Sequence, residues 1–242
     1  MKRFASACLF ILAIFAGYGL STAVSVWRSQ TIQTVRSWRS RAIVDRYLES
    51  HQTRKLQLGA GQINIDGWLN TDIEPEPQQA FLDATKTFPL PDRSINYIFG
   101  EHVIEHVAYN DGLAMLRECH RVLVPGGKVR FATPDLRRFA ALMEGAPPAY
   151  VNAKLEFHEW RIAPELAPPF IINEEIRNFG HRFVYDEITL RDSLAKAGFT
   201  SVQRFDPGAS DDNALVGIEA RHNNPKTRAM NDYETMVLQA TR

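Results

Sequence analysis

Several short stretches of this chain carry the side chains, or the backbone freedom, that binding and catalysis need. Lys55-Leu56-Gln57-Leu58-Gly59-Ala60-Gly61 reads as a strand running into a glycine turn, where absent side chains let backbone N–H groups approach a ligand closely. Asp72 closes a second strand candidate ending at Ile73, and a carboxylate there can accept from both hydroxyls of a ribose. Asp83, followed by Ala84, comes after a third and can accept from an exocyclic amino group. His102, Glu105 and His106 stand at i, i+3 and i+4 behind Glu101, so a helix there would put three titratable groups on one face. Gly180-His181-Arg182-Phe183-Val184-Tyr185-Asp186 is the other dense cluster, with Asp186 placed to cap a helix. Taken singly, Asp72 and Asp83 also read as strand-end turn residues bonding their own backbone.

The elements that must position these residues alternate. Strand candidates are Lys55 to Leu58, Leu69 to Ile73, Ala80 to Leu82, Ile95 to Phe99 and Lys128 to Ala132. From Asp111 to Leu123, Leu113, Leu116, His120 and Leu123 share a helical face, and Pro125-Gly126-Gly127 ends the helix ahead of the next strand. Helix followed by strand predicts a parallel sheet. Asp135 to Met143 reads as a further helix. The proline- and aromatic-rich stretch 144–178 fits no regular repeat and is expected to be an insertion capping the substrate side. Asp186 to Ala197 is a helix stopped by Gly198, and Val202 to Phe205 with Leu215 to Ala220 are expected as two closing strands. The chain has no internal repeats.

In this order, joined by Leu90-Pro91-Asp92-Arg93-Ser94, Glu101-His102-Val103-Ile104-Glu105-His106 and Arg121-Val122-Leu123-Val124-Pro125-Gly126-Gly127-Lys128, the stretch from about Lys55 to Asp135 resembles the class I S-adenosylmethionine (SAM) dependent methyltransferases of type 11. The resemblance implies an α/β, Rossmann-like sheet with flanking helices and SAM as cofactor. It places Leu58, Gly59, Ala60 and Gly61 at the methionine part of SAM, Asp72 and Ile73 at the ribose, and Asp83 and Ala84 near the adenine, with Glu101 and His102 completing the cofactor site. Two features depart from the family pattern. Gln57 stands where an acidic residue is usual, and ten residues between Gly61 and Asp72 are too few for a full crossover helix. That compact spacing, with Gly67-Trp68-Leu69-Asn70-Thr71-Asp72, resembles a bacterial subgroup linked to cell-surface polysaccharide synthesis. A dinucleotide fingerprint would need a third glycine where Asn64 stands.

Methyl transfer runs in line from a sulfonium to a nucleophile, so a hydroxyl acceptor benefits from a base. His106 and His181 are the catalytic candidates. The His102–Glu105–His106 trio has three readings: it includes a general base, it binds a divalent ion as in methyltransferases with a Glu-x-x-Glu-His element, or it is the His-x-x-Glu-His of an inverted zinc peptidase. In the peptidase reading Glu174 or Glu175 would be the distant third ligand, but Gly59, Asp72 and Asp83 then go unexplained. The bland alternatives are packing histidines at 102 and 106 and, at 181, a loop histidine anchoring the insertion. No metal ligand is assigned on sequence, and a SAM- or nucleotide-binding domain without catalysis is the alternative of another class.

Composition bounds the rest. The chain has 242 residues, 45% of them hydrophobic, and its 28 basic residues balance 28 acidic ones, so it lacks the basic footprint of a nucleic-acid binder. Cys8 and Cys119 suggest no disulfide framework. Residues 4–27 hold no charged side chain, follow Lys2 and Arg3, and are long enough to span a membrane. The other reading is a signal peptide cleaved near Ser21-Thr22-Ala23. Arg28, Arg36, Arg39, Arg41 and Arg46 outnumber Lys2 and Arg3, which favours a single-pass inner-membrane anchor with the domain in the cytosol. From Thr31 to about Glu49 an amphipathic basic helix is predicted, with Ile32, Val35, Trp38, Ala42, Ile43 and Tyr47 on its apolar side. The expected organisation is an anchor at 1–28, this linker helix at 29–52, the catalytic domain at 53–222 and a tail at 223–242. The expected partners are SAM, a small-molecule, glycan or lipid-linked acceptor, and the membrane.

Overall fold

Strand β1 (Lys55–Leu58) is short because Gly59 turns the chain out of the sheet, and three of its four residues are buried. In the computed structural model, residues 39–156 and 167–242 are described; the apolar stretch 4–27 and the first part of the basic helix lie outside them. Among the described residues no helix is long and apolar enough to cross a membrane. The chain divides into residues 1–42 and 43–242, and residues 39–42, at the end of the first unit, are helical.

In the second unit, β1 lies between β2 (Leu69–Asp72) and β4 (Ile95–Glu101), pairing in parallel with both, with Leu56 opposite Leu69 and Ile98. β3 (Ala80–Phe81) extends one edge, and β5 (Leu123–Pro134) runs parallel to β4 on the other side. β7 (Thr235–Thr241) is antiparallel to β5 and to β6 (Thr200–Phe205), giving seven strands in the order β3-β2-β1-β4-β5-β7-β6. This is a mixed α/β, Rossmann-like sheet. The chain order reverses between β1 and β4, and a crevice opens there beyond the strand ends because the connections leave to opposite sides.

Helix α1 is described over residues 39–50, and on its 43–50 portion Val44 and Tyr47 enter the core. The Tyr47 hydroxyl accepts from the Lys55 N–H at 2.8 Å and lies 3.0 Å from the Gly67 carbonyl, fixing the helix to the start of β1 and to the approach to β2. Helix α2 (Tyr109–Val122) buries Met115, Leu116, Cys119 and Val122, and Leu123 passes directly into β5. Pro125-Gly126-Gly127 therefore lies within the first part of β5 rather than in a separate turn. Asp135 starts helix α3 (Leu136–Ala141) by accepting from the Arg137 N–H at 3.0 Å, and a 3₁₀ turn (Leu142–Glu144) follows.

The 144–178 stretch is more regular than its sequence implies. It holds α4 (Pro148–Glu156) and α5 (Pro168–Arg177). Phe139, Leu142, Tyr150 and Ile171 form a second small core beneath them. Prolines at the start of each helix occupy positions where a missing N–H costs nothing, which is why their density does not prevent helix formation. Helix α6 (Glu187–Lys196) is capped by Asp186, whose Oδ1 accepts from the Thr189 N–H at 2.8 Å.

The C-terminal part corrects the expected elements. Leu215 to Ala220 is not a strand: Gly217 turns there at a φ of 66° and Ala220 opens the short helix α7 (Ala220–Asn223). The closing strand is β7, in the stretch expected to be a tail, and it follows helix α8 (Arg228–Glu234). Six of its seven residues are buried because it lies inside the sheet, so the alternation that marks a half-exposed strand is missing. Tyr150 donates to Glu234 at 2.8 Å, and Lys154 pairs with Glu175 at 2.5 Å and Glu234 at 2.8 Å. This buried network ties α4 and α5 to α8.

Candidate active site

At the carboxyl ends of β1 to β4 a cavity of about 640 Å³ opens. Gly59, Ala60, Gly61, Asp72, Ile73, Asp83, Ala84, Glu101, His102 and His106 all line it. Leu58, also expected at the cofactor, does not: its side chain is wholly buried in the main core. The last strand residue packs inward, between Gln57 and Gly59, which both line the cavity.

The turn is held from within. Gly59 and Gly61 have φ of 60° and 52°. An added Cβ at Gly59 would run into Val103 Cγ2, so the residue is glycine for space as well as conformation. The Ala60 N–H donates to the Thr71 carbonyl at 2.9 Å, and the Gly61 N–H donates to Asp72 Oδ2 at 2.8 Å. Asp72 Oδ1 accepts from the Glu74 N–H at 2.8 Å. Asp72 thus braces the turn, yet a carboxylate has about four acceptor positions, so two remain for ribose hydroxyls. Asp83 accepts from the N–H and hydroxyl of Thr85 at 2.9 and 2.7 Å, both through Oδ1, which leaves Oδ2 acceptor capacity. Both residues thus serve as strand-end turn residues, and both line the cavity with acceptor capacity left over.

No helix connects β1 to β2; the connection runs through turns between Gly59 and Trp68. Gln57 takes part in it, its Nε2 donating to the Ile63 carbonyl at 3.1 Å. Gln57 Oε1 is buried at the cavity and has no hydrogen-bond partner among the described residues. A buried carbonyl oxygen left in this way is costly unless a ligand donor meets it. Together with the apolar walls Ile73, Leu82, Ala84 and Val103 and the two carboxylates, this orphaned acceptor fits SAM: an ammonium donor, a ribose diol and a flat base each find a matching surface.

Glu101 has a further task. Its carboxylate accepts from the N–H groups of Ala220 and Arg221 at 3.0 and 3.1 Å, fastening α7 to the end of β4 and bringing Arg221 to the cavity. Burial raises its pKa above the ordinary carboxylate value, an effect these two N–H donors only partly offset. Arg221 lies 120 residues from Glu101 and carries no motif, so nothing in the sequence pointed to it. Gln62, Ile63, Thr85 and Val107 were likewise missed as lining residues, since they belong to loops whose course only the fold sets.

The segment after β4 is not the helix that would align His102, Glu105 and His106. His102 sits at a φ of 52°, and only Ile104–His106 make a 3₁₀ turn. His102 Nδ1 lies 2.9 Å from Oε1 of fully buried Glu105, whose Oε2 accepts from the Thr133 hydroxyl at 3.0 Å. Burial pushes the Glu105 pKa up, and the charge and hydrogen bond of His102, together with a backbone N–H and the charge of His106, hold the group below the usual carboxylate value. The peptidase reading loses its footing: His102 faces Glu105 rather than sharing a helical face with His106, and the Glu175 carboxylate is bound by Lys154. His181 does not line the cavity. Its ring packs edge-on against His106 with centroids 4.9 Å apart, and Nδ1 donates to the Glu175 carbonyl at 2.5 Å, so it also anchors the insertion. Burial, and then the charge of His181, hold the His106 pKa below the ordinary histidine value against the opposing pull of Glu105.

With this geometry in view, residues 68–131, from the start of β2 into β5, match a family model described as a methyltransferase domain. None of the curated proteins matches the chain. Among solved structures, a SAM-dependent methyltransferase from Archaeoglobus fulgidus is 16% identical at a TM-score of 0.45, covering 84% of this chain and 92% of its own. One from Mesorhizobium loti is 16% identical at 0.46, covering 78% and 90%. A Haemonchus contortus phosphoethanolamine N-methyltransferase 2, solved with SAM, is 13% identical at 0.40, covering 84% and 52%. The matched methyltransferase domain supports an enzyme that uses SAM, and it spans Asp72, Asp83, Glu101, His102 and His106.

Proposed function

We propose that this chain transfers the methyl group of SAM to a hydroxyl of a glycan or lipid-linked sugar, working at the cytosolic face of the inner membrane from the apolar segment 4–27. The observation that carries the reading is the cavity itself. It joins the glycine turn, Asp72, Asp83 and the orphaned Gln57 Oε1 in one place, inside and beside the stretch that matches a methyltransferase domain. SAM supplies an electrophilic methyl on a sulfonium. The protein holds the cofactor through the turn and the two carboxylates, and excludes water with Ile73, Leu82, Ala84 and Val103. His106 and His181 mark the edge where an acceptor hydroxyl must give up its proton. The compact Gly61 to Asp72 spacing and the apolar segment support the membrane-bound sugar acceptor over a soluble metabolite.

The test is calorimetry with SAM on the full chain in detergent, beside Asp72→Ala. Wild type is expected to bind, and the variant to bind at least about tenfold more weakly, the loss of hydrogen bonds to a charged group. No binding, or equal binding by the variant, overturns the cofactor assignment. Incubation with radiolabelled SAM and separated polysaccharide, lipid-linked sugar and lipid fractions should label one of the first two. Label confined to lipid or quinone refutes the acceptor class. A reporter fused after Arg242 should be active only as a cytosolic reporter.

A further inference from the structure

We propose that Glu105, His106 and His181 form a binding site for one divalent transition-metal ion of borderline character, such as Zn²⁺ or Co²⁺, at the acceptor edge of the cavity. One ligand atom from each of the three lies within 4.8 Å of the others. Ligands of one tetrahedral ion at bond lengths of about 2.0–2.2 Å stand about 3.3–3.6 Å apart, so side-chain rotations that draw the three atoms together by about an ångström close the site. Two imidazoles and one carboxylate suit zinc, cobalt or iron(II) rather than magnesium or calcium, which prefer all-oxygen sets.

Two further features prepare the residues for a cation. Glu105 is entirely buried, and its Oε1 lacks an aligned hydrogen bond although His102 Nδ1 is 2.9 Å away. His102 compensates this buried carboxylate from one side, which leaves Glu105 an anionic ligand held in place. The tautomer of His181 is set by its partner, because a carbonyl can only accept. Nδ1 must carry the proton it gives to Glu175, so Nε2 presents a lone pair. This is the outer-sphere arrangement that orients metal-bound imidazoles.

The backbone holds the two halves of the site together although they come from distant parts of the chain. The N–H groups of Arg182 and Phe183 both donate to the Glu105 carbonyl, at 2.7 and 3.1 Å. His181 is thereby carried to His106 without the metal. His106 lines the cavity, so an ion here would meet the acceptor hydroxyl and lower its pKa, the proton leaving to water. That role rests on the methyltransferase reading, whereas binding of the ion does not.

The experiment titrates Co²⁺ into chelator-treated full-length protein and follows the visible absorption of the ion, with the same titration by calorimetry. One ion per chain is expected, with the intense bands of low-coordinate cobalt. His181→Asn removes Nε2 while its amide can still donate to the Glu175 carbonyl, and it should weaken binding by more than about the 10–100-fold typical of an outer-sphere change. Thermal unfolding of the unloaded variant controls for its fold, and His106→Gln gives a second removal of a ligand. Unchanged cobalt affinity in either folded variant, or no binding by wild type, overturns the proposal. SAM binding by the metal-free protein, measured in parallel, separates this failure from failure of the cofactor assignment.

Discussion

Replacing Gly59 by alanine tests the glycine turn in a way that separates its two physical causes. At a φ of 60° an L-residue pays about 1–2 kcal/mol for the left-handed conformation. The new methyl also meets Val103 Cγ2, and overpacking of this kind costs about 1–3 kcal/mol. Gly59→Ala should therefore lose about 2–5 kcal/mol, a fall in Tm of roughly 4–20 °C for a domain of this size. Gly61 supplies the control. It shares the positive φ, at 52°, but a Cβ there meets nothing within 4 Å, so Gly61→Ala should lose only the conformational part, about 1–2 kcal/mol. Val103→Ala removes both γ-methyls and should rescue Gly59→Ala, the double variant being more stable than the sum of singles by about 1–3 kcal/mol. The same substitution should leave Gly61→Ala additive. Denaturant titration in detergent without SAM measures wild type and all five variants, keeping ligand binding out of the comparison. Additivity of Gly59→Ala and Val103→Ala within about 0.5 kcal/mol would refute the close contact on which the reasoning rests.

Other expectations follow from single interactions. Asp186→Ala should cost about 1 kcal/mol through loss of the cap on α6, and Asp186→Ser should recover most of it, read by thermal unfolding. Glu118 is hydrogen-bonded by Arg121, first among the effects that hold its pKa below its ordinary 4.5, with burial opposing. Its contribution is complete above pH 4.5 and is lost as pH falls through the lowered folded value, so Glu118→Gln should be less stable at pH 7 and show a flatter acid limb below 4.5. Arg130 and Glu219 form a fully buried pair at 2.5 Å, and Arg130→Met should cost about 3–5 kcal/mol by stranding the carboxylate. Adding Glu219→Leu should restore part of that stability, and no restoration would mean that Glu219 serves mainly the Gly208 N–H it also accepts.

Much of the site was legible because its residues sit where short-range rules apply. Gly59 and Gly61 turn the chain at a strand end, Asp72 and Asp83 follow strands, and Asp186 caps a helix three residues before Thr189. Each is dictated by neighbours a few positions away, so residue type and spacing were enough to name them. The order of these signals along the chain also implied the parallel half of the sheet from β1 to β5.

What the sequence could not determine depends on contacts between distant segments. β7 hides its strand character because it is buried on both faces, so the stretch past residue 222 showed no alternation. Arg221 comes to the cavity where Glu101, at the end of β4, captures two N–H groups at the start of α7. The histidines at 102 and 106 were placed on one helical face by their spacing, whereas the positive φ at His102 turns it toward Glu105 and leaves His106 to meet His181. Spacing along the chain sets local geometry; burial, backbone hydrogen bonds and charge compensation between remote segments decided which side chains share the site.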